Sequence, residues 1–193
     1  RTVELDRVNA IAPGLVAKTK KRLVVATGRS HPDLAVEVTE ALGTQLVPTE
    51  YRTFASGEIL TRFEVSIRGC DFFLIQSFGP PVNEWLMELL IMLDAAKRAS
   101  AKRITVVAPY YPYSRQDKKG RGREPISARL VADLLKTAGA DRVMSVDLHA
   151  AQIQGFFDGP VDHLFAKPVL LQYFKNSLSP EDRDKLTVVS PDT

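Results

Sequence analysis

Five short apolar runs divide the chain at intervals that suit alternating strands and helices. They are rich in β-branched residues, are bounded by turn-forming residues, and occupy residues 23–27, 72–76, 104–108, 143–146 and 187–190. Runs of this length without polar alternation are typical of parallel strands that are buried on both faces. The segments between them carry helical spacing. The pattern therefore predicts an α/β, Rossmann-like fold with a parallel sheet and helices on both of its faces.

The segments nearest the N-terminal end of this pattern predict one helix and one hairpin. The helix should begin near Ser30, whose hydroxyl would cap it together with Asp33, and should end near Gly43. Residues 50–68 alternate apolar and polar side chains around Gly57, which is suited to a tight turn. This second pattern predicts a small antiparallel β flap.

Three later segments also predict helices. Residues 83–99 carry a wide leucine-rich stripe, which suits a helix buried on most sides or at a subunit contact. Residues 127–137 form a narrower stripe followed by Gly139, a residue that favours a left-handed helix end. Residues 166–176 form the last predicted helix.

The composition indicates an ordinary globular protein. Of the 193 residues, 45% are apolar and 25% are charged, and the net charge of +3 is too small to indicate a nucleic-acid partner by itself. The single cysteine, Cys70, excludes an internal disulfide and favours a cytoplasmic location. No membrane-spanning run or signal peptide is visible, so no membrane partner is expected. We predict an extension over residues 1–21 and one domain over 22–193, with any second domain starting at or beyond 193.

A long loop after the third run is the first candidate for chemistry, because ligands of open α/β sheets bind beyond the carboxyl ends of the strands. Residues 109–113 are aromatic and proline-rich, and residues 115–123 contain five basic side chains against one acid, Asp117. Such side chains suit phosphate oxygens, and tyrosines could stack on a base. A solvated basic loop without a ligand fits the composition equally well.

A carboxylate and an imidazole follow the fourth run. Alternation would send Asp147 and His149 to the same side, where they could hold a divalent ion. For an isolated pair of this kind, local hydrogen bonding is the more common role. Asp192 follows the fifth run and could join His149 at a magnesium site. No P-loop and no glycine-rich dinucleotide fingerprint is present, so any nucleotide must be held differently.

Four blocks of this sequence resemble the ribose-phosphate diphosphokinases, and together they extend along most of the chain. They are FASGE at 54–58 with SIRGCD at 66–71; PVNE at 81–84 with MELLIM at 87–92; PYY at 109–111 with SRQDKK at 114–119 and REPIS at 123–127; and DLH at 147–149 with QIQGFFDGPVDH at 152–163 and VSPD at 189–192.

The resemblance implies a phosphoribosyltransferase-type domain, the N-terminal one of two similar halves, in a homo-oligomer that is usually a hexamer. It also implies transfer of the β,γ-diphosphoryl group of ATP to the C1 hydroxyl of ribose 5-phosphate, with Mg²⁺ as the cofactor and AMP as the second product. The family's catalytic lysine and arginine would lie beyond Thr193. The 193-residue segment alone is therefore predicted to be inactive.

The resemblance further implies roles for individual residues. The ATP contacts of one subunit would be Arg115, Gln116 and Asp117, and those donated by its neighbour would be Phe54, Ser56 and Glu58. The metal ligands would be His149 and Asp192, with Asp147 and Asp158 as helpers. The family usually has aspartate or asparagine where this chain has Ser56, which puts the strength of that contact in question.

Three alternatives stay open at this point. A non-catalytic relative could keep the fold and regulate true synthetases, although the intact Arg115 and His149 argue against it. A phosphoribosyltransferase would share the fold and consume the product instead of making it. A nucleic-acid binder could use the basic cluster at 118–123, and steep salt dependence of binding would reveal it.

Overall fold

A five-stranded parallel sheet forms the centre of residues 22–190, the part of the chain described by the computed structural model. Along the chain the elements are β1 (Leu23–Thr27), α1 (Pro32–Leu42), β2 (Thr49–Thr53), β3 (Ile59–Phe63), β4 (Asp71–Ile75), α2 (Val82–Arg98), β5 (Arg103–Ala108), α3 (Ser127–Ala138), β6 (Arg142–Val146), a 3₁₀ helix (Ala151–Gly155), β7 (Val161–Leu164), α4 (Lys167–Ser177) and α5 (Pro180–Asp184). The strands of the sheet lie in the order β1-β4-β5-β6-β7. The predicted α/β class is confirmed.

Helices cover both faces of this sheet, as predicted. Alternate residues of the strands, such as Phe72 and Leu74, join a core with α2 and α3. The residues between them, such as Val25 and Ile75, pack with Ala35 of α1 on the opposite face. Because burial of apolar side chains on both faces is the main favourable term, strands and helices stabilise one another here.

The predicted flap is an antiparallel hairpin of β2 and β3, with Thr53 paired to Ile59 next to the turn. Gly57 has a φ of +90°, a conformation that favours glycine, and this confirms its predicted role in the turn. The hairpin lies against α2. The ring of Phe63 meets Phe72 of the sheet edge-to-face, with 5.1 Å between the centroids.

The predicted cap of the first helix is wrong. Helix α1 begins at Pro32, and the ring nitrogen Nδ1 of His31 accepts the hydrogen bond from Leu34 N. The hydroxyl of Ser30 instead donates to Gln76 Oε1 over 2.6 Å and accepts from Ser77 N. Proline is favoured at the first helical position, so it shifts the helix start beyond Ser30.

The predicted strand at 187–190 is also wrong, because these residues form no strand in the described part of the chain. Val188 and Val189 are 86% and 82% exposed, so the apolar run gains nothing from burial there. The fifth strand of the sheet is β7, which pairs with β6. A β-branched run becomes a strand only where it meets a free sheet edge, and that pairing is a tertiary effect.

The remaining helix predictions are confirmed within one or two residues by α2, α3 and α4. Gly139 ends α3 with a φ of +123°. The predicted extension, residues 1–21, lies outside the described residues. Within 22–190, no helix is both long and apolar enough to cross a membrane.

Candidate functional site

The basic loop, residues 115–123, follows β5 and carries exposed basic side chains. Before it, Tyr111 is buried and its hydroxyl donates to Ala128 O over 3.0 Å, which ties the loop's start to α3. Burial raises the pKa of Tyr111 far above its ordinary value. At the far end, the Glu124 carboxylate accepts hydrogen bonds from Gly120 N and Arg121 N. The loop is therefore held at both ends while its cations point outward.

The three predicted ATP contacts in this loop have different surroundings. Arg115 is exposed and makes no ion pair with any residue in 22–190. The side chain of Gln116 accepts a hydrogen bond from the Ser127 hydroxyl. Asp117 is only 7% exposed and accepts from Gln152 Nε2 over 2.8 Å. Of the three, Arg115 is the one presented to solvent without a hydrogen-bond or ion-pair partner in residues 22–190.

Asp147 and His149 follow β6 at the carboxyl end of the sheet, as predicted. Asp147 has a left-handed φ of +46°, so the strand alternation that would send both side chains to one side stops at Val146. The Asp147 carboxylate also accepts from Ala166 N at 3.3 Å and 3.4 Å. His149 is exposed. The structure therefore gives Asp147 a local hydrogen-bonding role and leaves the imidazole of His149 accessible.

Of the other two predicted metal ligands, Asp158 does not join this group. Asp158 precedes β7, and its neighbour Gly159 lies beside Asp141 O at the amino end of β6, opposite to His149. Asp192 lies outside the described residues. Within 22–190, no three His, Cys, Asp or Glu side chains lie together in a group that could hold a metal ion.

His163 is a site residue that the sequence reasoning missed. Its Nε2 accepts a hydrogen bond from Leu148 N over 3.0 Å, so it fixes the backbone between Asp147 and His149. Its ring packs on Phe165 with 4.3 Å between the centroids. The position of His163 on β7, beside β6, brings it there, and no spacing rule would have indicated this contact.

The turn of the hairpin carries the second group of predicted ATP contacts. Ser56 Oγ donates to Glu58 Oε2 over 2.7 Å, so the two predicted polar contacts are bonded to each other. Phe54 is partly exposed, and the guanidinium of Arg52 lies 4.8 Å from the centre of its ring.

A groove of about 730 Å³ separates the hairpin turn from α2. It is lined by Thr53, Ser56, Gly57, Glu58, Ile59, Asn83, Glu84, Met87 and Ile91. A different, smaller groove contains Gln116 and Lys118 of the basic loop. Ser56 and Glu58 therefore line a groove that contains none of Arg115, Gln116 and Asp117, and of those three only Gln116 lines the smaller groove.

Comparison with known families decides which fold family this is. Residues 23–139 match the model of the N-terminal domain of ribose phosphate pyrophosphokinase. This chain belongs to that family.

Individual relatives agree with the assignment to the ribose-phosphate pyrophosphokinase N-terminal domain family. The chain is 60% identical over 179 residues to the ribose-phosphate pyrophosphokinase of Streptomyces avermitilis, an alignment covering 93% of this chain and 54% of the relative. It is 59% identical over 174 residues to that of Mycobacterium leprae, covering 90% of this chain and 52% of the relative. The chain thus spans about half the length of the curated relatives it matches.

A solved structure has the same fold. The crystal structure of phosphoribosylpyrophosphate synthetase from Mycobacterium smegmatis superposes with a TM-score of 0.79 at 61% sequence identity. The superposition covers 81% of this chain and 53% of that chain.

Proposed function

We propose that this chain supplies the N-terminal domain, residues 22–193, of a ribose-phosphate diphosphokinase. The enzyme would transfer the β,γ-diphosphoryl group of ATP to the C1 hydroxyl of ribose 5-phosphate and release AMP. One observation carries the proposal: relatives named ribose-phosphate pyrophosphokinase are 60% identical to the chain over 93% of its length. At this identity, a changed reaction would require changes at the site, and Arg115 and His149 are present and exposed.

Arg115 is the proposed principal contact of this domain with the triphosphate of ATP. A guanidinium fork that has no partner among residues 22–190 can bind phosphate oxygens in pairs, and the hydrogen bonds at the ends of the basic loop lower the entropy lost on binding. Gln116 and Asp117, also proposed to contact ATP, are bonded to Ser127 and Gln152. They would hold the segment in place as well as face the nucleotide.

The hairpin turn is the proposed contact with the adenine and ribose of an ATP bound to a neighbouring subunit. Phe54 offers an exposed ring for stacking. Ser56 and Glu58 offer hydroxyl and carboxylate oxygens, which can accept hydrogen bonds from an amino group or hydroxyl. The hairpin groove is lined by none of the loop residues 115–123, which supports a site that is completed by two subunits.

Mg²⁺ is the proposed cofactor, held by His149 and Asp192 with help from Asp147. Among the described residues, the donors are the accessible imidazole of His149 and the carboxylate of Asp147, which accepts only long hydrogen bonds from Ala166 N. So few protein ligands fit Mg²⁺, which keeps several waters and binds phosphate oxygens. When bound, the ion would neutralise charge on the phosphate oxygens. Asp158, at the other end of the sheet, is the weakest of the family-implied ligands on this geometry.

The protein's own groups would act by positioning the substrates and neutralising charge, since phosphoryl-type transfer requires little covalent chemistry from the protein. Arg115 would hold the triphosphate and neutralise part of its charge. The sugar site and the catalytic lysine and arginine would lie beyond Thr193, as the family resemblance implies.

A homo-oligomer, with six subunits as the family resemblance implies, is the proposed assembly. Helix α3 exposes Leu130 and Leu134, one turn apart, and helix α2 exposes Met87. Exposed apolar side chains on helices suit a contact between subunits. A cytoplasmic location stays a prediction from the buried single thiol of Cys70.

The test is AMP release by the full-length protein with ATP, ribose 5-phosphate and Mg²⁺. We expect AMP to form only when all three are present, and EDTA to stop the reaction. The 193-residue chain should give no turnover under the same conditions. AMP release independent of ribose 5-phosphate, or none at all by the full-length protein, would contradict the proposal.

A further inference from the structure

A fully buried carboxylate lies at the centre of a polar network beside the first strand. Glu88 of α2 is 0% exposed. It accepts hydrogen bonds from Arg29 N over 2.7 Å, from Arg29 Nε over 2.6 Å and from Gln76 Nε2 over 3.2 Å. Arg29 follows β1 and Gln76 follows β4, so the network lies at the carboxyl ends of two neighbouring strands.

The guanidinium of Arg29 extends from this network to the hairpin. Its Nη1 donates to Thr53 Oγ1 over 3.2 Å, and its centre lies 5.7 Å from the ring centre of Tyr51. The Tyr51 hydroxyl donates in turn to Thr27 O. Thr53 is the last residue of β2, lines the groove, and directly precedes Phe54. One side chain therefore connects β1, α2 and the start of the hairpin turn.

Stability alone does not explain this buried ion pair. Burying a carboxylate has a desolvation cost that its partners only offset, and apolar replacements of buried ion pairs are often equally stable. In addition, Arg29 Nη2 is buried without a hydrogen-bond partner in residues 22–190. The network does fix the orientation of the Arg29 side chain. Because the guanidinium is planar and Glu88 holds both its Nε and the Arg29 backbone amide, Nη1 can point in only one direction.

We infer that Arg29, oriented by Glu88, is a positioning residue that fixes the hairpin turn, residues 54–58, for its contact with nucleotide. The inference rests on the proposed function for the identity of the ligand. Arg29 does not itself touch the nucleotide; it acts through Thr53. The sheet, α2 and the turn are thereby held as one frame, so a nucleotide meets Phe54, Ser56 and Glu58 already in place.

The test uses two variants of the full-length protein, Thr53→Val and Arg29→Lys. Thr53→Val keeps the shape of the side chain and the buried ion pair but removes the oxygen that accepts from Arg29. Arg29→Lys keeps the charge beside Glu88 but loses the fork. Arg62→Gln is the matched control, because it breaks an exposed ion pair with Glu50 inside the same hairpin, 3.0 Å in length, without touching the network.

Two quantities are measured: hydrogen exchange of residues 49–63 by mass spectrometry, and the separate values of KM for ATP and kcat. For loss of one hydrogen bond to a charged group, we expect exchange on the order of tenfold faster and KM for ATP raised at least about threefold, with kcat within about twofold. The control should match the wild type in KM and kcat.

Unchanged exchange in both variants overturns the inference, and so does faster exchange with a wild-type KM for ATP. A wild-type protein that releases no AMP from ATP and ribose 5-phosphate refutes the proposed function instead. In that case the exchange rates alone decide whether Arg29 anchors the hairpin.

Discussion

The amide of Gln152 donates to the carboxylate of Asp117 over 2.8 Å and joins the basic loop after β5 to the 3₁₀ helix after β6. Asp117 is buried, so the accepting end of this bond is shielded from water, whereas Gln152 is exposed. Two segments that carry proposed phosphate and metal contacts, at Arg115 and His149, are thus attached to each other. A change at either end of this bond should be felt by both segments.

Removal of this bond should destabilise the fold. Asp117→Ala and Gln152→Ala should each lower the free energy of unfolding, and in a double-mutant cycle their coupling should be about 1.5–3 kcal/mol, the range for a hydrogen bond to a charged group. Urea unfolding measures it. Gln154→Ala is the control, because Gln154 lies in the same 3₁₀ helix but donates to Ala151 O. Additive effects of the two changes would show that the bond contributes nothing.

Loss of the proposed phosphate and metal contacts should reduce turnover in the full-length enzyme. Arg115→Ala and His149→Ala should each lower kcat/KM by two or more orders of magnitude, roughly the effect of removing a group that stabilises charge in the transition state. Steady-state assays of AMP release measure this. Lys102→Ala is the charge-matched control, because Lys102 is exposed at the amino end of β5, away from the loop. Near-normal turnover in Arg115→Ala or His149→Ala would refute the role assigned to that residue.

A methyl group at residue 28 should disturb the buried network. A Cβ on Gly28 would lie 2.2 Å from Gln76 Oε1, and Gln76 is buried and bonded to Ser30 and Trp85 O. We expect Gly28→Ala to lower the free energy of unfolding by about 1–3 kcal/mol, the usual cost of overpacking. The midpoint of urea unfolding measures it, with Gly155→Ala as the control because a Cβ there meets nothing within 4 Å. Equal midpoints for the two variants would contradict the steric argument.

Alkaline unfolding should depend on Tyr111. Burial raises its pKa in the folded state above the ordinary value of 10.0, so the unfolded chain loses this proton first as the pH rises. The stabilisation is complete below pH 10 and declines above it, by at most about 1.4 kcal/mol per pH unit.

Tyr111→Phe should therefore lose less stability than the wild type between pH 10 and pH 12. Below pH 10 it should be less stable by about 1 kcal/mol, since the bond to Ala128 O is gone. Urea unfolding across this pH range provides the measurement, with Tyr110→Phe as an exposed matched control. If the free energy of unfolding of Tyr111→Phe fell with pH as steeply as that of the wild type, Tyr111 would not be the cause of the alkaline loss of stability.

The sequence predicted those parts of the fold that local patterns determine. The first four apolar runs became β1, β4, β5 and β6 because each places alternate residues in the core shared with α2 and α3, and β1 and β4 are also covered by α1 on the other face. The run at 187–190 has the same composition, yet it meets no strand edge in the described structure. By contrast, β7 has only two apolar residues, Val161 and Leu164, and is a strand because β6 offers it an edge.

The candidate site, too, was predictable where local patterns determine it and unpredictable where tertiary contacts do. Arg115 and His149 could be located at the ends of strands because strand ends are visible in the sequence. Arg29 and Glu88 are 59 residues apart, and no spacing rule connects them. The only local signal was a single acid between Met87 and Leu89 on an otherwise apolar stretch of helix. Contacts such as His163 to Leu148 likewise follow from strand order, which the sequence alone does not reveal.

The most direct test of the proposed reaction follows the β-phosphate. The full-length protein is incubated with Mg²⁺, ribose 5-phosphate and ATP that carries radioactive phosphorus at its β-position, and the products are separated. Diphosphoryl transfer predicts that the label leaves with the sugar, as phosphoribosyl diphosphate, and that the AMP is unlabelled. Labelled ADP as the product would mean transfer of the γ-phosphoryl group alone, and it would contradict the proposed function.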